Sequence, residues 1–300
     1  MTYDVVVVGN AGIDTNIYLP GEDIDFSHEA NFTQDLDYVG QAGGYASWGY
    51  ASLGLRTAFI GSYGEDVLGQ WVRQTFFKQG IGTEGMFIDP AGTSRSVNIM
   101  YQDGRRKNFY DGRGHMSLHP PLTIAKLILS QARLVHFNIP NWARELLPLT
   151  RNAGAVIACD IQDVVDPDDP YRQDFILSSD YLFFSAANHG EPEPIMRHFW
   201  HKNPRVEIVA GMGAEGCAVG SGGIIRRFPA VDLDLPIIDT NGAGDALAVG
   251  YLTARVFNGL PVEDAVLRGQ IGARHTCAQK ATTDTLITPA LLERYLKEVS

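Results

Sequence analysis

The chain has 300 residues, of which 45% are hydrophobic, and it carries a formal net charge of −11. This composition excludes a disordered chain and argues against nucleic acid as the main partner, and we interpret the short basic run at 105–107 as a solvated loop that could at most assist a small anionic group. Three widely spaced cysteines argue against a disulfide framework, and because no signal peptide and no apolar run of about 20 residues occurs, we expect a cytoplasmic protein without a membrane partner.

Short apolar runs alternate with helix-like stretches along most of the chain. The runs have no polar face, which is typical of strands covered on both sides, and they lie at 5–8, 58–60, 134–137, 156–161, 181–184 and 206–209. Helical patterns occupy 45–53, 68–79, 124–129, 142–152, 246–258 and 261–279, and a last helix follows Thr288 and Pro289. This alternation predicts an α/β fold with a mostly parallel central sheet and helices on both sides.

Two stretches interrupt this alternation, at about 15–39 and 94–112. The second alternates apolar and polar residues around a possible hairpin turn at Asp103 and Gly104. We expect both stretches to form a small β-sheet lid that projects from a single domain spanning 1–300 and covers the strand ends where ligands bind. An ordinary surface hairpin is the alternative.

Residues 211–216 spell Gly-Met-Gly-Ala-Glu-Gly after a predicted strand, as in a dinucleotide-binding fingerprint. That site requires a helix to begin within the glycines, whereas 217–225 is typical of a hairpin with a glycine-rich turn. The sequence also lacks the Gly-x-x-x-x-Gly-Lys-Ser/Thr pattern of a P-loop. We therefore expect neither a nicotinamide or flavin site nor a Walker-type phosphate site.

The most informative segment is Asp-Thr-Asn-Gly-Ala-Gly-Asp at 239–245, which lies between a short apolar run at 235–238, interpreted as a strand edge, and a helical pattern. The first-turn amides of a helix have no partner within it and carry a partial positive charge. Gly242, Ala243 and Gly244 add no bulk that would keep a phosphate from these amides. Asp245 would lie within reach of a hydroxyl group approaching that phosphate, a combination suited to phosphoryl transfer. A glycine-rich turn without function is the alternative.

Several segments resemble the ribokinase-like, or PfkB, family of carbohydrate kinases, and the resemblance covers nearly the whole chain. The segment 239–245 resembles the C-terminal signature of that family, 54–69 resembles its N-terminal signature, and Gly9 followed by Asp14 resembles its first strand and substrate-binding aspartate. The resemblance implies a ribokinase-like three-layer fold with a β-stranded lid. It also implies transfer of phosphate from ATP, with Mg²⁺, to a sugar or nucleoside hydroxyl group; a monovalent-cation requirement stays open.

The resemblance implies roles for individual residues. Asp245 would be the general base that takes the proton from the attacking hydroxyl group, and Gly242, Ala243 and Gly244 would form the anion hole. Asp14 would bind substrate hydroxyl groups, for which a carboxylate offers two acceptor oxygens.

The predicted substrate side departs from the family pattern. The family has two glycines followed four residues later by Asn, whereas this chain has Gly40, then Gln41, and Tyr45 in place of the Asn. A tyrosine ring favours stacking on a sugar face or a base, so the acceptor need not be ribose. Arg113, after the predicted hairpin, either contacts a phosphate or substrate hydroxyl group or is a plain surface arginine.

The resemblance gives weaker matches on the nucleotide and metal side. Gly213 and Gly216 match the turn on the nucleotide side, and Gln270 falls where the family often places an Asn near the nucleotide. The family's Asn-x-x-Glu near Mg²⁺ is matched by Asn188 and Glu191, with Ser185 and Asn188 as the alternative in register.

These features predict an ATP- and Mg²⁺-dependent kinase that phosphorylates a small sugar or sugar derivative, with a lid that excludes water. A nucleoside kinase is the alternative, because Tyr45, Phe109 and Tyr110 could flank a base. A non-catalytic sugar or nucleotide sensor is a further alternative. Family analogy and the exposed edges of a small sheet predict a homodimer formed through the lid.

Overall fold

The computed structural model describes residues 2–102, 104, 106–187, 189–280 and 283–299. The strands are β1 (Tyr3–Val8), β2 (Gly12–Tyr18), β3 (Gln34–Gly40), β4 (Thr57–Gly64), β5 (Gly82–Asp89), β6 (Arg95–Met100), β7 (Arg106–Asp111), β8 (Ala132–Phe137), β9 (Val156–Asp163), β10 (Tyr181–Ser185), β11 (Glu207–Gly211), β12 (Cys217–Ser221) and β13 (Ile224–Phe228). The α-helices are α1 (Gln41–Ser52), α2 (Val67–Lys78), α3 (Leu122–Leu129), α4 (Leu147–Ala153), α5 (Gln173–Ser178), α6 (Glu193–Lys202), α7 (Ala243–Leu252), α8 (Val262–Cys277) and α9 (Pro289–Val299). None of these described helices is long and apolar enough to cross a membrane.

Nine of the described strands form the central sheet, in the order β13-β12-β11-β10-β9-β8-β1-β4-β5. Neighbouring strands from β11 to β5 are parallel, and β12 and β13 add an antiparallel hairpin at one edge. Both faces of this sheet are covered, as strand β1 illustrates. Its four valines are all buried, with Val5 and Val7 in one hydrophobic core and Val6 and Val8 in another. Helices therefore cover both faces of the sheet. The predicted α/β architecture with a mostly parallel sheet is confirmed.

The other four strands form a second, smaller sheet within the described residues, in the order β3-β2-β6-β7, which we call the lid sheet. Strand β2 pairs antiparallel with β3 and parallel with β6, and β6 pairs antiparallel with β7. The predicted small sheet is thus confirmed, although β2 begins at Gly12 and β3 extends to Gly40, so that Asp14 belongs to the lid sheet. In the predicted turn, Gly104 has a φ of 84°, and Asp103 lies outside the described residues.

Three local predictions differ from the structure. The run 235–238 is not a strand edge: Ile237 is 63% exposed, and the amide of Ile238 donates to the carbonyl of Cys277 at the end of α8. The sequence pattern does not predict β5, because only two of the eight residues of this edge strand are buried. The predicted helix at 142–152 is a 3₁₀ turn, Asn141–Leu146, followed by α4, whose first turn contains Pro148.

Candidate active site

The segment 239–245 is shaped by its own first residue. Asp239 is buried, and its Oδ1 accepts a hydrogen bond of 2.8 Å from the amide of Asn241. Gly242 then has a φ of 74°, in the left-handed region that glycine adopts without strain, and α7 begins at Ala243. The turn thus leads the chain directly into the first turn of a helix, where the sequence motif places it.

Gly242 fits closely against the ring of Tyr45. A Cβ at position 242 would lie 2.5 Å from two atoms of that ring. Tyr45 is 5% exposed, and its hydroxyl group shares a hydrogen bond of 2.5 Å with the hydroxyl group of Tyr38. The prediction that Tyr45 stacks on a substrate is therefore corrected, because its ring packs against the backbone that begins α7.

The start of α7 offers backbone amides to an anion. Within the described part of the chain, the amides of Gly242 and Gly244 have no backbone acceptor, whereas the amide of Ala243 donates to the carbonyl of Thr240 at 3.3 Å. A Cβ at Gly244 would meet nothing within 4 Å, so the space in front of this residue is open. Two of the three predicted anion-hole residues therefore present an unpaired amide, and the third is already paired.

Asp245 lies in the same helical turn as these amides. Its side chain is partly exposed, but Oδ1 is buried and has no hydrogen-bond partner among the described residues. Burial raises the pKa of this carboxyl group well above its ordinary value; the charge of Asp160 raises it further, and the charge of Arg106 opposes the rise. An unpaired carboxyl oxygen with a raised pKa is suited to accept a proton from a bound ligand.

Asp14 lies on β2, and its carboxylate faces the start of α1. The amide of Gln41 donates to Asp14 Oδ2 at 2.9 Å, and a Cβ at Gly40 would lie 2.4 Å from the same oxygen. Oδ1 of Asp14 has no geometrically acceptable hydrogen-bond partner in the described residues. Burial raises the pKa of Asp14 to about 6, against the opposing hydrogen bond from Gln41. Glycine at position 40 thus leaves room for this carboxylate.

Gln41 takes a backbone conformation that favours glycine. Its φ is 64°, in the left-handed region, which is consistent with the second glycine of the family pattern that Gln41 replaces. Oε1 of Gln41 accepts a hydrogen bond of 2.9 Å from Ser94, while Nε2 is buried without a partner among the described residues. The side chain therefore presents an unused donor beside Gly12 on β2, since a Cβ at Gly12 would lie 2.7 Å from Nε2.

Two buried polar residues, one within β9 and one directly after β8, were not predicted from the sequence. Asp160 on β9 is 6% exposed and accepts a hydrogen bond of 2.9 Å from the amide of Gln162, and burial raises its pKa to about 6. Asn138, which follows β8, is 3% exposed, and in the described structure neither its Oδ1 nor its Nδ2 has a partner. For Asn138 the sequence did contain a signal, namely a polar side chain directly after an apolar parallel strand, because ligands bind at that edge of the sheet.

Arg106 brings a positive charge to the site from β7. Its guanidinium group donates a hydrogen bond to Oδ1 of Asn241, and its charge lowers the pKa of both Asp14 and Asp245. Arg106 stays exposed, as expected for the basic run, but it lies on a strand of the lid sheet rather than in a loop, and this strand carries it to Asn241. Arg105 lies outside the described residues.

Arg113, the other predicted arginine, is held at the base of the lid sheet. Its guanidinium Nε lies 3.4 Å from a carboxylate oxygen of Asp111 and donates to the carbonyl of Thr93 at 3.3 Å. Its φ of 53° places it in a left-handed turn. The structure therefore engages Arg113 in loop contacts rather than pairing it with Asp14 or Asp245.

Gly213 and Gly216 shape the turn between β11 and β12. Gly213–Glu215 is a single 3₁₀ turn followed by a strand, so no helix opens within the glycines, in agreement with the rejected dinucleotide fingerprint. At Gly216 a Cβ would lie 2.2 Å from the carbonyl oxygen of Phe228, so the glycine is required by the hairpin. A Cβ at Gly213 would lie 3.8 Å from Ala187, two residues after Ser185, so this turn lies beside the end of β10.

The structure gives little support to the predicted nucleotide and metal roles of Gln270, Asn188 and Glu191. Gln270 is 8% exposed, and its Nε2 donates toward Cys217 Sγ and the carbonyl of Phe228, so its amide is engaged with the hairpin instead of open to a nucleotide. Glu191 is exposed in the loop before α6, and Asn188 lies outside the described residues. No group of three or more His, Cys, Asp or Glu side chains in the described residues could hold a metal ion.

The chain is similar to carbohydrate kinases along nearly its whole length. Residues 3–289 match the pfkB family carbohydrate kinase model. The chain is 29% identical over 296 residues to the acarbose 7(IV)-phosphotransferase of Actinoplanes sp., with 97% of each chain covered. It is 24% identical over 277 residues to the fructokinase of Klebsiella pneumoniae, covering 83% of this chain and 87% of that one.

Solved kinases share the fold. The microbiome-derived acarbose kinase Mak1 superposes with a TM-score of 0.90 at 26% identity, covering 99% of this chain and 100% of that chain. The ribokinase of Arabidopsis thaliana, solved with ribose and ATP, superposes with a TM-score of 0.81 at 19% identity over 99% of each chain, which confirms the expected ribokinase-like fold. Because the family model spans nearly the whole chain, this protein belongs to the pfkB family of carbohydrate kinases and is an ATP-dependent carbohydrate kinase.

Proposed function

We propose that this chain transfers the γ-phosphate of ATP to a hydroxyl group of a small sugar or sugar derivative, with Asp245 as the general base. The start of α7 carries the proposal, because it combines the amides of Gly242 and Gly244 with Oδ1 of Asp245, none of which has a partner among the described residues. The amides suit a terminal phosphoryl group, and the carboxyl oxygen suits the hydroxyl group that attacks it.

The reaction forms one P–O bond and breaks another. The acceptor oxygen bonds to the γ-phosphorus while the bond to the bridging oxygen breaks, ADP leaves, and the hydroxyl proton passes to Asp245. The raised pKa of Asp245 makes its carboxylate a stronger proton acceptor than an exposed aspartate. The amides of α7 stabilise the negative charge that spreads over the phosphoryl oxygens.

Mg²⁺ fits this chain as the partner of ATP. Since the described residues form no cluster that could hold a resident metal ion, we expect Mg²⁺ to be held mainly by the phosphates, with at most one or two carboxylates. When bound, it would neutralise charge on the phosphate oxygens. The nucleotide would lie between the start of α7 and the turn at Gly213 and Gly216.

Asp14, Gln41 and Asn138 would hold the acceptor. Each has a buried polar atom without a partner among the described residues, and together they supply both donors and acceptors, as a polyol requires. The burial of Tyr45 removes one of the rings expected to flank a base, which favours a sugar over a nucleoside. The similarity to the acarbose 7(IV)-phosphotransferase makes acarbose the first acceptor to test, ahead of fructose and ribose.

The test is ADP release by the purified protein with ATP, Mg²⁺ and one acceptor at a time: acarbose, fructose, ribose or adenosine. Mass spectrometry identifies the phosphorylated product. We expect ADP release that depends on at least one sugar. Turnover with adenosine alone would favour a nucleoside kinase, in which the exposed rings of Phe109 and Tyr110 would flank the base. ADP release that no acceptor stimulates would contradict the proposal.

We also propose that two copies of the chain associate through the lid sheet. Strand β7 forms one edge of this sheet, and all six of its residues are exposed. Unpaired strand edges invite pairing with another chain, and association would cover Phe109 and Tyr110, which are 55% and 46% exposed. Analytical ultracentrifugation tests this directly; a protein that sediments only as a monomer at assay concentrations would contradict it.

A further inference from the structure

Three asparagines form a row across the lid sheet. Asn16, Asn98 and Asn108 are register partners on β2, β6 and β7. Asn108 Nδ2 donates to Asn98 Oδ1 at 2.8 Å, and Asn98 Nδ2 donates to Asn16 Oδ1 at 2.9 Å. Asn16 is 0% and Asn98 2% exposed, so two of the three carboxamides are buried. We call these three residues the asparagine row.

The asparagine row ends on Asp239, outside the lid sheet. Asn16 Nδ2 donates to Asp239 Oδ2 at 2.8 Å, and the hydroxyl group of Tyr18 donates to the same oxygen at 2.6 Å. Because a carboxylate only accepts hydrogen bonds, Asn16 must present its NH₂ group there, which turns its oxygen toward Asn98. The same reasoning turns the oxygen of Asn98 toward Asn108. The charge of Asp239 therefore fixes the direction of the whole row and strengthens its last bond.

Asp239 connects the asparagine row to the start of α7. Its other oxygen accepts the amide of Asn241, which directly precedes Gly242. Two more lid residues contact the same segment, since Asn241 Nδ2 lies 3.4 Å from Met100 Sδ and Asn241 Oδ1 accepts a hydrogen bond from Arg106. A displacement of the lid strands would thus be transmitted to the backbone that carries the amides of α7.

We propose that the asparagine row is a positioning element for phosphoryl transfer: it aligns the amides of Gly242 and Gly244 with the lid that covers the acceptor. This inference rests on the proposed function. Asn98 acts only through Asn16 and Asp239, so it is a positioning residue. A buried polar network holds one geometry when every member is satisfied, and a misplacement of about 1 Å in an active site lowers the rate by about 100-fold.

Asn98→Leu tests the proposal by cutting the row with a side chain of similar size. We expect kcat to fall by about 10- to 100-fold, while KM for ATP changes by less than about threefold, because no hydrogen bond within the described parts of the chain joins the turn at 213–216 to the row. Gln102→Leu is the matched control: its Nε2 donates to the carbonyl of Pro20 at 2.7 Å, on the lid but outside the row. A kcat for Asn98→Leu within about twofold of this control would overturn the proposal.

A double-variant cycle tests whether Asn98 acts through Asp239. If it does, the double variant with Asp239→Asn should be no slower than the slower single variant, because the same connection is already broken. If the fold-losses in kcat of the two single variants multiply in the double variant, Asn98 does not act through Asp239 and the proposal is overturned. If Asn98→Leu is too unstable to assay, Asn98→Asp replaces it, since an aspartate keeps the shape and still accepts from Asn108 but cannot donate to Asn16 when ionised.

Hydrogen exchange at the amide of Asn241 separates this inference from the proposed function, because it needs no substrate. Asn98→Leu should speed exchange of this amide by about tenfold or more, since its acceptor Asp239 loses support, and Gln102→Leu should leave it unchanged. Unchanged exchange in Asn98→Leu would overturn the positioning role of the asparagine row, whether or not the protein phosphorylates a sugar. If no sugar acceptor is phosphorylated, the proposed function is refuted, but the exchange rate of the Asn241 amide still tests the role of the row.

Discussion

Gly242 and Gly244 are two residues apart, yet the structure predicts opposite responses to alanine. Gly242 has a φ of 74°, and a Cβ there would lie 2.5 Å from the ring of Tyr45. A Cβ at Gly244 would meet nothing within 4 Å. Gly242→Ala should therefore lower the free energy of unfolding, whereas Gly244→Ala should leave the fold intact and lower activity.

The magnitudes follow from these two environments. For Gly242→Ala, the left-handed conformation costs about 1–2 kcal/mol, and the overlap with the Tyr45 ring adds about 1–3 kcal/mol. The expected loss is thus about 2–5 kcal/mol. For Gly244→Ala, alanine is favoured in a helix by about 0.5–1 kcal/mol, so stability should stay or rise slightly. The added methyl group nevertheless occupies the space through which a phosphate reaches the amide, so kcat/KM should fall by about 100-fold or more.

Urea unfolding measures the first effect, and ADP release with the identified acceptor measures the second. Gly154→Ala is the matched control for Gly242→Ala, because Gly154 also has a φ of 74° but has nothing within 4 Å of its Cβ position. The difference between these two variants isolates the overlap with Tyr45. Equal losses would refute the packing of Tyr45 on the turn, and wild-type kcat/KM in Gly244→Ala would refute the role of the α7 amides.

Three further predictions concern the polar groups of the cleft. Burial raises the pKa of Asp14 from 3.8 to about 6, so keeping this carboxylate charged costs the folded protein about 3 kcal/mol. Asp14→Asn removes this cost, so it should stabilise the protein by the full amount above pH 6, and the stabilisation should fade as the pH falls from 6 to 4. Thermal melts across this range measure the stabilisation, and a stabilisation independent of pH would contradict its assignment to the buried charge. Arg106→Gln removes a charge that lowers the pKa of Asp245, so the acidic limb of the kcat/KM profile should move to higher pH; an unmoved limb would contradict this contact. Asn138→Leu should raise KM for the acceptor by about tenfold or more without lowering the melting temperature, since its buried polar atoms have no partners among the described residues; an unchanged KM would remove Asn138 from the acceptor site.

The architecture could be predicted because local patterns determine it. The four consecutive valines of β1 are buried on both faces, and such a strand fits only a sheet with helices on both sides. The segment 239–245 likewise indicates the start of a helix from its own residues. In contrast, the apolar run at 235–238 gives the wrong prediction, since its two isoleucines are exposed and its backbone bonds to the end of α8.

The residues that the sequence does not place correctly depend on contacts between distant parts of the chain. Tyr45 is buried because Gly242, almost 200 positions later, leaves space for its ring. Arg106 belongs to the cleft because the lid sheet carries it to Asn241. The asparagine row joins Asn16 to Asp239 across a separation of 223 residues. Spacing along a single sequence contains no signal for such pairs.

Asp245→Asn tests the assignment of the base most directly. The substitution keeps the size of the side chain and leaves the amides of Gly242 and Gly244 in place, so calorimetry should give a Kd for ATP within about threefold of the wild-type value. The single-turnover rate of phosphoryl transfer should fall by about 10²–10⁴-fold, because the attacking hydroxyl group loses its proton acceptor. A folded Asp245→Asn protein that binds ATP and transfers phosphate at the wild-type rate would show that this carboxylate is not the base.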